Sequence, residues 1–386
     1  MRDASREAVI VEAVRSPVGR RNGTLSHIRP DDLAALVLGA LVERAGIDPA
    51  VVEDVIMGCV TPIGEQGLNI ARVAVMIAGW PLEVCGVQIN RMCGSSQQAI
   101  HFAAQAIEAG DMDVAIGAGV ESMSRVPMGS DGGPFSDRLV ARFNLVPQGI
   151  SAEMIADKWN LSRRELEEFA LESHRRAIRA IDNGYFRSQI VPVKVKLPDG
   201  NEVTLENDEG PRRDTSLEKM AALPPAFKPD GKITAAVSSQ ISDGAGAVLV
   251  MSREAARKYG LRPRARFLAR VVAGVDPVMM LHGVIPATRR ALAKAGLGIE
   301  DMDVIEINEA FASVVLAWQK EIKPPDMTRV NPNGGACALG HPLGATGAIL
   351  MTKLLYELER TGGRYGLQTM CIGHGMATAS VIERLD

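Results

Sequence analysis

The sequence predicts an α/β protein made of two duplicated halves with an inserted loop domain. Three observations support this prediction: a repeated order of elements, apolar strands that alternate with helices, and a central segment that breaks the pattern. The chain has 386 residues, of which 46% are hydrophobic, so it can bury a large core in two or three domain-sized units.

The repeat begins with a helix that ends at an Ala-Gly step, followed by a short loop and a buried strand. In the first half the helix ends at Gly46 and the strand covers 53–58. In the second half the helix ends at Gly296 and the strand covers 302–307. A repeat this long indicates duplicated domains rather than a solenoid.

A helix rich in small residues follows in each half, at 95–109 and at 344–358. A helix without a strong polar face is buried, so these two helices are expected to pack together between two sheets. Each half then has an apolar strand that ends in Gly-x-Gly, at 114–119 and at 369–375. Strands that are apolar on both faces predict largely parallel sheets.

The central segment is expected to form a separate inserted domain. It contains Pro/Gly-rich stretches and a charged helix that Ser162 begins and Glu165 supports as a capping box. We therefore assign the N-terminal half to residues 1–119 plus 241–262, the insertion to 120–240, and the C-terminal half to 263–386.

Composition excludes several classes of function. A net charge of −3 and a pI of about 6.1 give no basic footprint for nucleic acid. No stretch is apolar enough for a membrane span, and the polar start at residues 1–7 indicates neither a signal peptide nor a transit peptide. The five cysteines are scattered without a CxxC pair, which argues against a disulfide scaffold or a metal site and fits a reducing cytoplasm.

Cys93 lies where a loop of polar and small residues meets the predicted helix from Ser95. Free N–H groups and the helix dipole would stabilise a thiolate there. The alternative is a structural core cysteine, but the flanking Asn90 and Arg91 are unusual in a packed core. Cys93 is therefore the candidate nucleophile.

Two further blocks supply proton-transfer groups. His341 follows a loop that only small residues can build, which favours a catalytic role over a core histidine. Cys371 ends an apolar strand, where ligands bind in α/β sheets, and the backbone N–H of Gly373 could point at an acyl oxygen. A thiol nucleophile, an imidazole and a second thiol suit reversible acyl transfer with carbon–carbon bond formation.

Two positions have alternative interpretations. Asn308 and Glu309 follow the strand 304–307, where either side chain could hold a water or orient a histidine. Asn308 could equally cap the next helix. His374 is either a solvent-side substitution or a pocket residue.

Together, the blocks around Cys93, Asn308, His341 and Cys371 resemble the thiolase family over essentially the whole chain, through their order, spacing and joint presence. The resemblance implies a thiolase-like five-layered αβαβα fold with two duplicated halves and an inserted loop domain that binds coenzyme A. It also implies a homo-oligomer, either a dimer or a dimer of dimers such as a homotetramer.

The resemblance assigns roles to these residues. Cys93 would become acylated, and Cys371 would move the proton. His341 would activate Cys93 and form one oxyanion hole together with a water held by Asn308. The backbone N–H groups of Cys93 and Gly373 would form the second hole.

The resemblance also implies a site for the CoA co-substrate, with no tightly bound cofactor. By their positions in the insertion, three residues are similar to residues that line the CoA cleft of the family: Arg212, Phe227 and Ser239. Met280 is similar to a residue near the path of the pantetheine arm.

The implied reaction is thiolytic cleavage of a 3-ketoacyl-CoA to acetyl-CoA (or propionyl-CoA) and a shortened acyl-CoA, with Claisen condensation as its reverse. The chain resembles catabolic bacterial members, including those that act on bulky or steroid-derived acyl chains. Ser96, Gln97 and His374 depart from the usual family pattern and suggest an unusual acyl pocket.

Three other functions stay open. A biosynthetic acetoacetyl-CoA thiolase would use the same residues. A catalytically silent acyl-CoA-binding paralogue is disfavoured because no catalytic residue is missing. A ketoacyl synthase would share the fold, but the blocks at Cys371 and Asn308 argue against it.

Overall fold

The computed structural model describes residues 4–385, in which strands and helices alternate along most of the chain. The strands are β1 Ala8–Arg15, β2 Gly19–Arg20, β3 Asp54–Gly58, β4 Cys85–Ile89, β5 Val114–Ser122, β6 Val193–Lys196, β7 Glu202–Leu205, β8 Ser242–Ser252, β9 Ala265–Gly274, β10 Val304–Ile307, β11 Tyr365–Ile372 and β12 Met376–Arg384. The helices are α1 Pro30–Ala45, α2 Ile70–Ile77, α3 Ser95–Ala109, α4 Asp137–Val140, α5 Gln148–Lys158, α6 Arg163–Asp182, α7 Leu217–Ala221, α8 Arg253–Lys258, α9 Val284–Ala295, α10 Ala312–Ile322, α11 Ala336–Leu339 and α12 Thr346–Thr361.

The strands form two similar sheets that are joined at one narrow seam. The order is β10-β11-β12-β9-β1-β8-β5-β3-β4, with β2 paired to β8. At the seam, β1 and β9 share only two register pairs, Val9 with Arg266 and Ile10 with Ala265. The first sheet therefore belongs to the N-terminal half and the second to the C-terminal half.

The internal duplication is confirmed by matching elements. Helices α1 and α9 both end at a glycine in the left-handed conformation, Gly46 at φ 68° and Gly296 at φ 70°. Only glycine adopts this conformation without steric cost, which explains the repeated Ala-Gly step. Each helix is followed by the corresponding strand, β3 in one half and β10 in the other.

The expectation of largely parallel sheets is wrong. Parallel pairing joins β3 to β4, β3 to β5, and β10 to β11, whereas the pairs of β8 and β12 are antiparallel. Burial on both faces comes from helix layers on each side and does not require parallel strands. The Gly-x-Gly of the first half also lies within β5 rather than at its end.

The helices complete five layers. Helices α3 and α12 contact each other and share one apolar core with strands of both halves, so they form the middle layer. Helices α1 and α2 cover the outer face of the first sheet, and α9 and α10 cover that of the second. The predicted αβαβα architecture is therefore confirmed.

The segment between β5 and β8 contains α4 to α7 and the hairpin β6–β7. Helix α6 begins with the predicted capping box of Ser162 and Glu165. Helices α5 and α6 pack in the same core as α9 and α10, which places this segment beside the C-terminal half. A buried ion pair links it to β1, because Arg15 Nη1 donates to Asp208 Oδ1 at 2.7 Å.

No helix within residues 4–385 is long and apolar enough to cross a membrane.

Candidate active site

The loop that carries Cys93 is held tightly where it enters α3. The hydroxyl of Ser95 donates to the carbonyl of Met92 at 2.6 Å and accepts from the backbone N–H of Arg91 at 2.9 Å. Met92 has a positive φ of 45°, so the chain turns sharply just before the cysteine. These contacts fix the sulfur of Cys93 at the start of a buried helix.

Gly94, the N-cap of α3, brings this loop against the strand of the second cysteine. A Cβ atom at Gly94 would overlap Cδ1 of Ile372 and lie 3.2 Å from Oγ1 of Thr378. Ile372 directly follows Cys371 in β11. The absent side chain at Gly94 is therefore what allows the two cysteine-bearing segments to approach each other.

Cys93 is buried, with 3% of its surface exposed. Burial raises the pKa of its thiol to about 11, although the backbone N–H groups of Gly373 and of Cys93 itself point at the sulfur and oppose this rise. The prediction of a stabilised thiolate is therefore wrong for the resting site, because desolvation outweighs the donors. The two predicted N–H donors do lie together at the sulfur.

His341 is held by a contact at each ring nitrogen. Its Nδ1 lies 2.6 Å from the hydroxyl oxygen of Thr346, and its Nε2 lies 3.3 Å from Nδ2 of Asn308. Burial lowers the pKa of His341 to about 4, so the imidazole is neutral near pH 7. A neutral imidazole can act as a general base.

Asn308 connects the histidine to the second cysteine. Its side chain also hydrogen-bonds Cys371, and this contact partly opposes the rise that burial imposes on the pKa of that thiol. Helix α10 begins at Ala312, and Phe311 occupies its N-cap position. The alternative that Asn308 caps this helix is therefore wrong. Its Oδ1 is buried and has no hydrogen-bond partner among residues 4–385.

The five catalytic residues predicted from sequence are thus brought together. Cys371 and Cys93 are close enough for the charge of one to raise the pKa of the other. Asn308 bridges Cys371 and His341, and the N–H of Gly373 reaches Cys93. Near pH 7 both thiols and the imidazole are in their neutral forms, so the site can move protons without holding a resting charge.

Two of the three departures from the family pattern make buried hydrogen bonds to the C-terminal half. Ser96 and Gln97 are fully buried. Ser96 Oγ accepts from the backbone N–H of Ala348 at 2.9 Å, and Gln97 Nε2 donates to Ser380 Oγ at 2.8 Å. Both side chains therefore tie α3 to the C-terminal half.

The third departure, His374, is exposed and lies directly after Gly373 at a φ of 59°. Its ring meets that of Phe135 edge to face, with ring centres 5.8 Å apart. Phe135 is half exposed and belongs to the segment after β5. This contact brings the segment after β5 to the turn that follows β11.

The residues predicted for the CoA cleft differ in their exposure and contacts. Arg212 is exposed and lines a cavity of about 190 Å³ that also contains His174 and Gln240. Ser239 precedes Gln240, whereas Phe227 packs edge to face on Phe311, with ring centres 5.9 Å apart. The side chain of Met280 is buried in the C-terminal core.

Sequence reasoning missed two side chains that organise the site. Thr346 contacts His341 and is signalled only by its position five residues later. Glu121 lies near the end of β5, two residues beyond the predicted strand, and is fully buried. It accepts from the backbone N–H of Gly344 at 2.8 Å, so it ties β5 to the loop after His341. No motif distinguishes Glu121 from a surface residue of an alternating strand.

Comparison with known proteins agrees with this geometry. The model of the thiolase N-terminal domain matches residues 8–254, and that of the thiolase C-terminal domain matches residues 261–384. The chain is 53% identical to the steroid 3-ketoacyl-CoA thiolase FadA6 of Mycobacterium tuberculosis, over 98% of this chain and 94% of that protein. It is 44% identical to the beta-ketoadipyl-CoA thiolase of Pseudomonas aeruginosa, over 99% of this chain and all of that protein.

A solved structure extends the match to three dimensions. The crystal structure of the Bacillus anthracis acetyl-CoA acetyltransferase superposes with a TM-score of 0.92 and 40% sequence identity. The match covers 98% of this chain and 99% of that chain. The described fold, the gathered cysteines and histidine, and these relatives together establish that the chain belongs to the thiolase family of acyltransferases.

Proposed function

We propose that the protein cleaves 3-ketoacyl-CoA with free CoA, to give acetyl-CoA (or propionyl-CoA) and a shortened acyl-CoA through an acyl-Cys93 intermediate. The observation that carries this proposal is the convergence of two thiols, a neutral imidazole and two inward N–H groups on one buried site. Reversible carbon–carbon cleavage needs a nucleophile, a proton carrier and donors for a developing oxyanion.

Acylation begins at Cys93. The Sγ–H bond breaks, the proton moves to Nε2 of His341, and the electron pair of sulfur forms a bond to the 3-keto carbon. General-base assistance is needed because burial keeps the pKa of this thiol near 11. The N–H groups of Cys93 and Gly373, which already point at the sulfur, are placed to stabilise charge on an oxygen attached to that carbon.

The bond between the α and β carbons then breaks. The electron pair stays on the α carbon, which becomes the carbanion of the departing acyl-CoA, and Cys371 gives it a proton. The charge on that thioester oxygen is stabilised by His341 and by a water at the unpartnered Oδ1 of Asn308. The sulfur of free CoA next attacks the carbonyl carbon of the acyl group on Cys93, and Cys371 takes the thiol proton of CoA. The bond between that carbon and Sγ of Cys93 breaks, and the leaving sulfur takes back the proton that His341 has held since acylation.

The CoA co-substrate is assigned to the side of the insertion. Arg212 lies exposed at the rim of its cavity, where a guanidinium can pair with a phosphate. We retain Phe227, Ser239 and Met280 as predicted contacts of the pantetheine and adenine portions. We propose the insertion at 120–240 between the two halves, as the sequence predicts, although strand β5 extends three residues into it, to Ser122.

The acyl group that we propose is bulky and apolar, as in a catabolic steroid- or fatty-acid-type member. Phe135 and His374 form an edge-to-face aromatic pair next to Gly373, and the relative at 53% identity is named a steroid 3-ketoacyl-CoA thiolase. A biosynthetic acetoacetyl-CoA thiolase is the second candidate, supported by the name of the Bacillus anthracis protein.

We further propose a cytoplasmic homo-oligomer, a dimer or a dimer of dimers. Strand β4 ends the large sheet, and exposed Leu82 and Val87 lie at this edge. An apolar sheet edge is suited to pairing with a second copy. A Val87→Asp variant is expected to lower the mass measured by light scattering in solution, and an unchanged mass would contradict this interface.

The function is tested by CoA-dependent loss of the enolate absorbance of three substrates: acetoacetyl-CoA, a medium-chain and a ring-bearing 3-ketoacyl-CoA. We expect cleavage, with the ring-bearing substrate preferred. Preference for acetoacetyl-CoA would favour the biosynthetic candidate. Absence of all three cleavages, with CoA still bound, would overturn the proposal in favour of a silent acyl-CoA-binding protein.

A further inference from the structure

Thr346 lies beside His341, the proposed base for Cys93. It is the first residue of α12 and is 3% exposed. Its hydroxyl oxygen lies 2.6 Å from Nδ1 of His341 and 2.8 Å from the carbonyl oxygen of Pro342. The hydroxyl therefore has two neighbours and a single proton.

The direction of these hydrogen bonds follows from the chemistry of the groups. A carbonyl oxygen only accepts, so the hydroxyl proton of Thr346 is donated to Pro342. The hydroxyl oxygen then accepts from His341, which places a proton on Nδ1. In a neutral imidazole the other nitrogen, Nε2, must carry the free electron pair.

The opposite side of the ring agrees with this assignment. Nδ2 of Asn308, which only donates, lies 3.3 Å from Nε2. Both neighbours thus favour the same tautomer. We propose that Thr346 is a positioning residue that fixes His341 with Nε2 unprotonated and directed into the site.

This inference rests on the proposed role of His341 as the base for Cys93. When Nε2 takes the proton from Cys93, the ring becomes positively charged and its Nδ1–H bond to Thr346 becomes a stronger, charge-assisted hydrogen bond. The contact therefore stabilises the transition state more than the resting state, and it affects kcat more than KM.

A matched control lies one and a half turns along the same helix. Thr352 is also fully buried, and its hydroxyl donates to the carbonyl of Ala348 at 2.8 Å, as Thr346 does to Pro342. The hydroxyl of Thr352 bonds its own helix rather than His341. Replacing either threonine with valine removes one buried hydroxyl from α12 without changing side-chain shape.

The test compares Thr346→Val, Thr346→Ser, Thr352→Val and His341→Ala in the full-length enzyme. We expect Thr346→Val to lower kcat about 10- to 100-fold, part of what a general base contributes, with KM changed less than about twofold. Thr346→Ser keeps the hydroxyl and should recover most of the rate. Thr352→Val should lose similar stability but keep its kcat.

Two outcomes would overturn the inference: a kcat for Thr346→Val no lower than that for Thr352→Val, or no recovery in Thr346→Ser. The His341→Ala variant separates this failure from that of the mechanism. If His341→Ala loses the activity and Thr346→Val does not, only the inference about Thr346 is wrong. If His341→Ala keeps the activity, the role of His341 as the base is wrong, and the inference fails with it.

Discussion

Gly94→Ala adds one methyl group at the contact between the two cysteine-bearing segments. The new Cβ would overlap Cδ1 of Ile372, lie 3.1 Å from its Cγ1 and 3.2 Å from Oγ1 of Thr378. Because Ile372 is fully buried, it has no free volume into which to move. The added methyl must therefore displace the Cys93 loop, Ile372, or both.

Overpacking of this kind lowers the free energy of unfolding by about 1–3 kcal/mol. A shift of about 1 Å in the position of a reacting group also lowers the rate roughly 100-fold. We therefore expect a thermal midpoint lower by several degrees and a kcat/KM about 100-fold below that of the wild type. Thiolytic cleavage and thermal unfolding monitored by circular dichroism measure the two effects.

Two further variants make this prediction sharp. Gly39→Ala lies inside α1, where the added Cβ meets no atom within 4 Å, so it should raise stability by about 0.5–1 kcal/mol and leave activity unchanged. Adding Ile372→Val to Gly94→Ala removes the overlapping Cδ1 and should recover much of the lost rate. Wild-type activity in Gly94→Ala, or additive losses in the double variant, would refute the argument from close packing.

Three other predictions concern the pKa of Cys93, the buried ion pair between Arg15 and Asp208, and the contact of His374 with Phe135. In a His341→Ala variant, the rate of Cys93 alkylation by iodoacetamide should rise about tenfold per pH unit from pH 7 to 10. Over this range the pH stays below the thiol pKa of about 11, so the thiolate fraction grows about tenfold per unit. A plateau of the rate near pH 8 would disprove this pKa. Asp208→Asn leaves Arg15 buried without its partner and should lower the free energy of unfolding in urea by about 3–5 kcal/mol. A loss no larger than that in Glu168→Gln, which breaks an exposed ion pair, would contradict this value. His374→Gly removes the contact with Phe135 and should lower kcat/KM for the ring-bearing substrate about 2- to 10-fold relative to acetoacetyl-CoA. If the ratio of the two kcat/KM values is unchanged, His374 does not contribute to the choice of acyl group.

The parts of the fold that depend on local signals are predictable from sequence. Helix α3 spans 95–109 as predicted, and the capping box of Ser162 marks the start of α6. The Ala-Gly steps at Gly46 and Gly296 mark helix ends because that backbone conformation is open to glycine. Strand direction was not predictable, since burial on both faces is produced by helices regardless of strand orientation.

Cys93, His341 and Cys371 lie in blocks of small residues at element boundaries, which is why the sequence points to them as candidate catalytic residues. Their protonation states were not predictable, since the pKa of Cys93 depends on burial that only the folded chain creates. The contacts of Ser96 and Gln97 also depend on the fold. Their position near Cys93 suggested contact with substrate, but the helix turns their side chains toward the other half of the protein.

The most direct test of the account is peptide mapping by mass spectrometry after incubation with an acyl-CoA, in the wild type and in Cys371→Ala. We predict an acyl group on Cys93 in both proteins. Added CoA should remove it more slowly in Cys371→Ala, because Cys371 takes the thiol proton in that step, and only the wild type should go on to cleave 3-ketoacyl-CoA. An acyl group on Cys371, no acylation of Cys93, or full cleavage activity in Cys371→Ala would contradict the assigned division of roles between the two thiols.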